Sequence, residues 1–306
     1  MGYDFETDEI LIVLGEWDGS SNKLYTTTAK LLAIKRDFSN VRVLHDDLFS
    51  LAQNAAADAT RIETFAHFIG YGGKIAGVLG VWANTAERSV LALYDGTSWS
   101  AARANYVYDY VQERVEPIWD AEDNFLGWLT EGHGTNMQWI KYSDLSVQAA
   151  VPSGPSFTIE PIYDMINHKI IILEWGSVTG AKQYIFVSDP DPDNGYTILT
   201  DVTPTGSITD AEANSIDLNT VNKERGLIFS DGANTWLVFG GTRGGLPTGE
   251  HRIIRVELGQ YNDPTKYDVL ADPTGNDRYW IRGYIRAIDP VNKLFVPTPL
   301  FVARPL

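Results

Sequence analysis

Four aspartates in the 306-residue chain share one local setting. Tyr3-Asp4, Trp119-Asp120, Tyr163-Asp164 and Ile288-Asp289 each place an apolar residue before the Asp. Each is followed by a polar turn and an apolar run that begins five or six residues later. A carboxylate repeated in this way has two uses. It can accept backbone N–H groups in a tight turn, the ordinary work of Asp at such positions. Alternatively, if the repeats circle an axis, equivalent carboxylates gather there, and two of them roughly 5 to 9 Å apart act as acid and base in glycoside hydrolysis. Glu116 and Glu174 lie on the same apolar segments and join Asp4, Asp120, Asp164 and Asp289 as candidates for this second use. The turn reading comes first, because catalysis does not need one group per repeat.

Asp189-Pro190-Asp191-Pro192-Asp193-Asn194-Gly195 alternates carboxylates ahead of a glycine, as the start of a calcium loop does. Thr200 stands where such a loop closes with glutamate, and Asp201 comes one place late. Asp189, Asp191, Asp193 and Asp201 are therefore the candidate ligands for Ca²⁺, the one cofactor the sequence suggests. An exposed acidic turn is the plainer account. The five histidines, His45, His67, His133, His168 and His251, lack the mutual spacing of a transition-metal site. No Walker loop, dinucleotide fingerprint or Gly-x-Ser-x-Gly elbow occurs. Of the tryptophans, Trp82, Trp128, Trp175 and Trp236 fall at strand anchors, where packing is expected. Trp99, Trp139 and Trp280 remain as aromatics that could stack on a sugar ring.

Charge narrows the partners. With 24 Lys+Arg against 40 Asp+Glu the chain carries −16, which disfavours a phosphate backbone as partner. There is no cysteine, so disulfides, thiolate metal sites and cysteine nucleophiles are all excluded. The start, Met1-Gly2-Tyr3-Asp4-Phe5-Glu6, is acidic where a signal peptide is basic, and no apolar run reaches the roughly 20 residues that span a bilayer. Neither a leader nor membrane insertion is expected.

The elements that would position these residues are strands. Apolar runs begin near residues 10, 75, 125, 170, 236 and 294, each followed by further strand-like segments and turn residues. Repeats of about 40 to 50 residues with insertions are the spacing of four-stranded propeller blades. The expected fold is all-β: a β-propeller of six blades, with five as the alternative, forming a single domain over residues 1–306. The last unit is short of strands, so the ring is expected to close through N- and C-terminal strands sharing one sheet. A many-stranded sandwich and a β-helix are the structural rivals. One helix is expected within Leu51–Phe65, capped by Ser50.

Tyr94-Asp95-Gly96-Thr97-Ser98-Trp99 and Ser230-Asp231-Gly232-Ala233-Asn234-Thr235-Trp236 are hairpin turns carrying Asp-Gly and then Trp. They resemble the Asp-box turns of sialidase-like propellers. They also resemble turns in bacteriophage tail and virion structural proteins. That second resemblance implies a non-enzymatic structural or adaptor protein, made in a host cytoplasm and located in a virion. Its partners would be other virion proteins, copies of itself or a host glycan. The competing reading is a glycoside hydrolase or glycan-binding propeller using axial carboxylates and exposed aromatics.

Overall fold

The computed structural model describes residues 2–16, 27–83, 86–103, 115–133, 137–150, 158–176, 180–230, 234–246 and 251–271, together with four short strands between 280 and 303. The chain divides into two compact units, residues 1–151 with 191–195, and residues 152–190 with 196–306.

The first unit opens with β1 (Gly2–Asp4), β2 (Glu9–Gly15), β3 (Ala29–Lys35), β4 (Val41–His45), helix α1 (Leu48–Ala55), β5 (Ala59–Tyr71), β6 (Lys74–Ala83), β7 (Ala86–Tyr94) and β8 (Trp99–Arg103). The strands form one sheet in the order β4-β3-β2-β1-β5-β6-β7-β8. Strict alternation sorts its faces: Ala29, Leu31 and Ala33 of β3 are buried with Leu11 of β2, while Ile10, Ile12, Leu14, Val41 and Val43 face outward. Leu48, Leu51 and Ala52 of α1 join that core with Phe68, Leu79 and Val90. The helix is shorter and earlier than expected. Asp47, not Ser50, caps it by accepting the Ser50 N–H at 2.9 Å, and residues from Ala59 onward pair with β6 instead of continuing the helix.

The rest of the first unit is β9 (Val115–Trp119), β10 (Phe125–Thr130), β11 (Gly132–His133), β12 (Gln138–Lys141) and β13 (Val147–Ala149), with β13-β12-β10-β9 forming an antiparallel sheet. One of its faces meets the first sheet through aromatic rings: Tyr71 stacks on Phe125 at 4.4 Å, and Trp119 packs edge-on to Phe5, Tyr71 and Phe125.

The second unit holds β14 (Thr158–Asp164), β15 (Lys169–Trp175) and β16 (Ile185–Ser188). Short strands follow: β17 (Pro190–Asp191), β18 (Gly195–Tyr196), β19 (Thr200–Asp201), β20 (Ser207–Thr209) and β21 (Ser215–Asp217). The meander β22 (Val221–Ser230), β23 (Thr235–Arg243), β24 (His251–Glu257) and β25 (Tyr267–Ala271) completes its core. Ile162, Leu173 and Ile185 pack there against Ile228, Leu237, Phe239 and Ile254.

The Asp-bearing hairpins stand where their spacing places them. β1–β2, β9–β10 and β14–β15 are antiparallel pairs joined by the Asp4, Asp120 and Asp164 turns, and β27 (Ala287–Asp289) is antiparallel to β28 (Leu294–Val296), the residues between them lying outside those described. The closed six-bladed ring is corrected to an open arrangement. β1 is three residues long and both its edges are taken, by β2 antiparallel and by β5 in parallel, so it offers no edge to a C-terminal strand. The C-terminal strands pair with one another, β26 (Trp280–Ile281) with β29 (Val302–Ala303) as well as β27 with β28. β4 is left as a sheet edge, with Val41 and Val43 more than half exposed.

Candidate functional site

The repeated aspartates are turn formers. Asp4 accepts the N–H groups of Glu6 and Thr7, Asp120 those of Glu122 and Asn124, and Asp164 those of Ile166 and Asn167, all between 2.8 and 3.2 Å. Asp210 repeats the arrangement with Glu212 and Asn214. These carboxylates are spent on backbone donors at hairpin ends. Asp289 ends β27, and its side chain lies outside the described residues.

Glu116 and Glu174 have a different setting. Each is buried in the middle or at the end of a strand, 3% and 2% exposed. Glu116 on β9 lies opposite Leu129 of β10, Leu129 lies opposite Trp139 of β12, and Trp139 opposite Gln148 of β13. Directly opposed residues share a face, so Glu116, Leu129, Trp139 and Gln148 form one row. Glu131 lies two residues after Leu129 in the chain, one residue past the end of β10. It too is buried, and both carboxylates have partners inside the protein.

A short segment covers this row. Trp139 Nε1 donates to Pro192 O at 3.4 Å, Lys141 Nζ pairs with Asp193 at 2.6 Å, and Gln148 Nε2 donates to Asp193 O. Gly195 lies against Leu129 and the Trp139 ring; a Cβ there would stand 2.8 Å from Leu129 Cδ2.

In the second unit Glu160 is fully buried and accepts the Gly226 N–H at 3.3 Å. Glu174 accepts the Tyr184 N–H at 3.2 Å. Glu174 lies opposite Ile159 and Glu160 opposite Leu173, so the two acids point to opposite faces of the hairpin. Nearby, Lys223 is fully buried, its Nζ donating to Gln183 O, Leu218 O and Val221 O at 2.8 to 3.1 Å. Burial pushes its ammonium down to about 7, against the opposing pull of Glu174 and Asp217.

The candidate calcium ligands do not converge. Asp189 pairs with Lys169, Asp191 accepts the Asp193 and Asn194 N–H groups, Asp193 pairs with Lys141, and Asp201 pairs with Lys182. Among the described residues no group of three or more His, Asp or Glu side chains could hold a metal ion. Of the candidate sugar-stacking aromatics, Trp139 is fully buried under the 191–195 segment. Trp99 donates to Leu44 O and packs on Tyr94, His45 and Phe68. Trp280 lies on β26, its side chain outside the described residues.

Glu116 and Trp139 are the two sequence candidates that the fold places on one row. Glu131 and Glu160 were missed. The signal was present as a repeat, Val115-Glu116-Pro117-Ile118-Trp119-Asp120 against Ile159-Glu160-Pro161-Ile162-Tyr163-Asp164. Extending the Asp alignment backward by four residues finds Glu160, and counting two places past the partner of Glu116 finds Glu131.

No family model matches the chain, and no curated protein does. The solved structures it matches include an α-L-arabinofuranosidase from Clostridium thermocellum, with 12% identity over 87% of this chain and 91% of that one and a TM-score of 0.39. A family-43 β-xylosidase/α-arabinofuranosidase from a compost metagenome matches with 10% identity over 84% and 89% and a TM-score of 0.36. A Trypanosoma rangeli sialidase matches with 10% identity over 86% of this chain but 47% of its own, with a TM-score of 0.40.

The bacteriophage reading is corrected on this finding, since these neighbours are glycoside hydrolases and not tail or virion proteins. The corresponding non-enzymatic role and virion partners go with it. The residues that carried the resemblance explain the error. Asp95 accepts the Thr97 and Ser98 N–H groups and Trp99 packs back over the hairpin, which is turn chemistry available to any β protein. Likeness at these scores says nothing of what this chain acts on.

Proposed function

We propose that the chain is a carbohydrate-active hydrolase of the two-carboxylate kind, with Glu116 and Glu131 as its acid pair. The observation that carries this reading is a buried carboxylate, Glu116, in a row that continues through Leu129 to Trp139, with a second buried carboxylate, Glu131, two residues along the chain from Leu129. A glycosidic bond breaks when one carboxyl group protonates the leaving oxygen and a second, across the sugar, activates water or attacks the anomeric carbon. Glu116 on β9 and Glu131 directly after β10 would supply the two groups. The Trp139 indole further along the row is a flat apolar surface of the kind that stacks on a sugar ring, and residues 191–195 cover it. The separation of the two carboxyl groups decides the stereochemical outcome, about 5 to 5.5 Å for retention and about 6.5 to 9.5 Å for inversion.

The test is turnover of aryl glycosides and neutral oligosaccharides by the 306-residue chain. Glu116→Gln and Glu131→Gln should each lower kcat by about 10² to 10⁴ with an unchanged melting temperature. Full turnover in either variant, or none in the parent on any probe, sinks the assignment. The anomeric configuration of the first product, read by proton NMR, then fixes retention or inversion.

A further inference from the structure

The acidic segment 189–195 holds no described cation cluster, yet it is placed with care. From the geometry we infer that residues 191–195 form a removable strap over a sugar-stacking subsite whose floor is the Trp139 indole and Leu129, adjoining Glu116. This inference rests on the hydrolase reading for its ligand class, but the strap itself is read from its own contacts.

The segment is built to move as one piece. Asp191 Oδ1 accepts the Asp193 and Asn194 N–H groups at 2.9 and 2.7 Å, closing a compact turn that carries its own hydrogen bonds. Pro190 stiffens one end. Gly195, at φ +86, supplies at the other a backbone conformation that residues with a Cβ seldom adopt. Gly195 packs on Leu129 and Trp139, and Gln148 Nε2 donates to Asp193 O; the other two contacts that fasten the strap are weak. The Lys141–Asp193 pair is mostly on the surface, with Asp193 75% exposed, and the Trp139 Nε1 bond to Pro192 O is long at 3.4 Å. Among the described residues no buried charge holds it.

What it covers is of another kind. Trp139 and Leu129 are fully buried, and the indole lies between two glycines. A Cβ at Gly127 would stand 2.8 Å from Trp139 Cη2, and one at Gly195 would stand 3.1 Å from its Cδ2. Glycine at both places lets the ring lie flat against the sheet with a thin cover. When the strap lifts, an indole and a leucine face water, which is unfavourable unless another apolar surface replaces it. The C–H face of a pyranose or furanose ring is such a surface, and it would arrive on the row that leads to Glu116. Pro192 O, released from Trp139 Nε1, leaves the indole N–H free to donate to a sugar oxygen.

The experiment needs no knowledge of the natural sugar. Protein labelled with 5-fluorotryptophan is studied by fluorine NMR, with the Trp139 resonance identified by its absence in Trp139→Phe. In Asp193→Ala, which removes an exposed side chain only, the H₂O/D₂O solvent shift of that resonance should at least double. Affinity for cellotetraose or xylotetraose should rise at least threefold. Crosslinking cysteines introduced as Lys141→Cys and Asp193→Cys with a short bismaleimide pins the strap and should abolish binding of the same probes.

An unchanged solvent shift in Asp193→Ala, or equal probe binding by pinned and unpinned protein, overturns the strap. Failure of the hydrolase reading looks different: the strap responses persist while Glu116→Gln retains full turnover. Loss of turnover in Glu116→Gln with binding indifferent to Asp193→Ala does the reverse.

Discussion

The hairpins 115–130 and 158–175 begin from nearly the same six residues and come to different ends. In both, a Glu-Pro-Ile-aromatic-Asp run forms the first strand, the Asp closes the turn, and a leucine on the second strand stands opposite the Glu. Leu129 continues into Glu131, Trp139 and the 191–195 strap. Leu173 continues into Ile162, Ile185 and the β22–β25 core, where Glu160 is held by the Gly226 N–H. Gly226 is part of that difference, since a Cβ there would come within 2.4 to 2.5 Å of Leu173 and Ile162 methyl groups. The repeated residues specify a hairpin. Whether its glutamate is a structural acceptor or a candidate acid is decided by the layer that packs on it.

The largest effect expected from this contrast is on stability. Glu160→Ala leaves the Gly226 N–H without an acceptor in a buried site and opens a cavity, which should cost about 3 kcal/mol. Turnover per folded molecule should be unchanged. Denaturant unfolding of Glu160→Ala beside Glu116→Gln separates the two roles. If Glu160→Ala unfolds like the parent, the motif is used alike in both hairpins.

Lys223 sharpens the comparison through pH. Its unfolded value is 10.5 and its native value is about 7, lowered by burial. Between those limits the unfolded chain binds a proton that the native chain does not, so raising the pH stabilises the fold. The gain begins near pH 7 and runs toward pH 10. Above that, Tyr3 and Tyr196, both pushed up to about 12, oppose it, because their unfolded counterparts ionise first. Melting temperature measured from pH 6 to 10 should therefore carry a rising contribution that Lys223→Met removes. A parent and variant with parallel profiles would show that Lys223 keeps its proton throughout.

How much of this was legible in the sequence follows from the range of the interactions. Asp-bearing turns and the alternation of β2 and β3 are local, so spacing alone found the hairpins at Asp4, Asp120, Asp164 and Asp289. Closure was not local. A three-residue β1 flanked by two partners is set by the parallel pairing of Tyr3 with Ile69, 66 residues away, and nothing near Tyr3 announces it. Trp139 was singled out as an aromatic without a core anchor. That it is buried depends on Pro192 and Gly195, some fifty residues downstream, which the sequence offered only as a calcium-like loop. Glu131 was passed over because periodicity within one strand does not reveal that Leu129, two residues before it, stands opposite Glu116.

The smallest effect isolates burial from hydrogen-bond geometry at the turns themselves. Asp120 accepts from Glu122 N, Asn124 N and Asn124 Nδ2 at 3.0, 2.8 and 2.9 Å. Asp164 accepts from Ile166 N, Asn167 N and Asn167 Nδ2 at 3.0, 3.2 and 2.8 Å. The three bonds named for each are matched in length. They differ in surroundings, because Asp164 is 1% exposed whereas the bonds to Asp120 are open to water. Water replaces a lost acceptor at the exposed turn and not at the buried one. Asp164→Ala should therefore cost about 2 kcal/mol and Asp120→Ala about 1 kcal/mol in the same unfolding experiment. Equal losses would mean that both turns are worth only their local hydrogen bonds. The environment that separates Glu116 from Glu160 would then stop short of the hairpin ends.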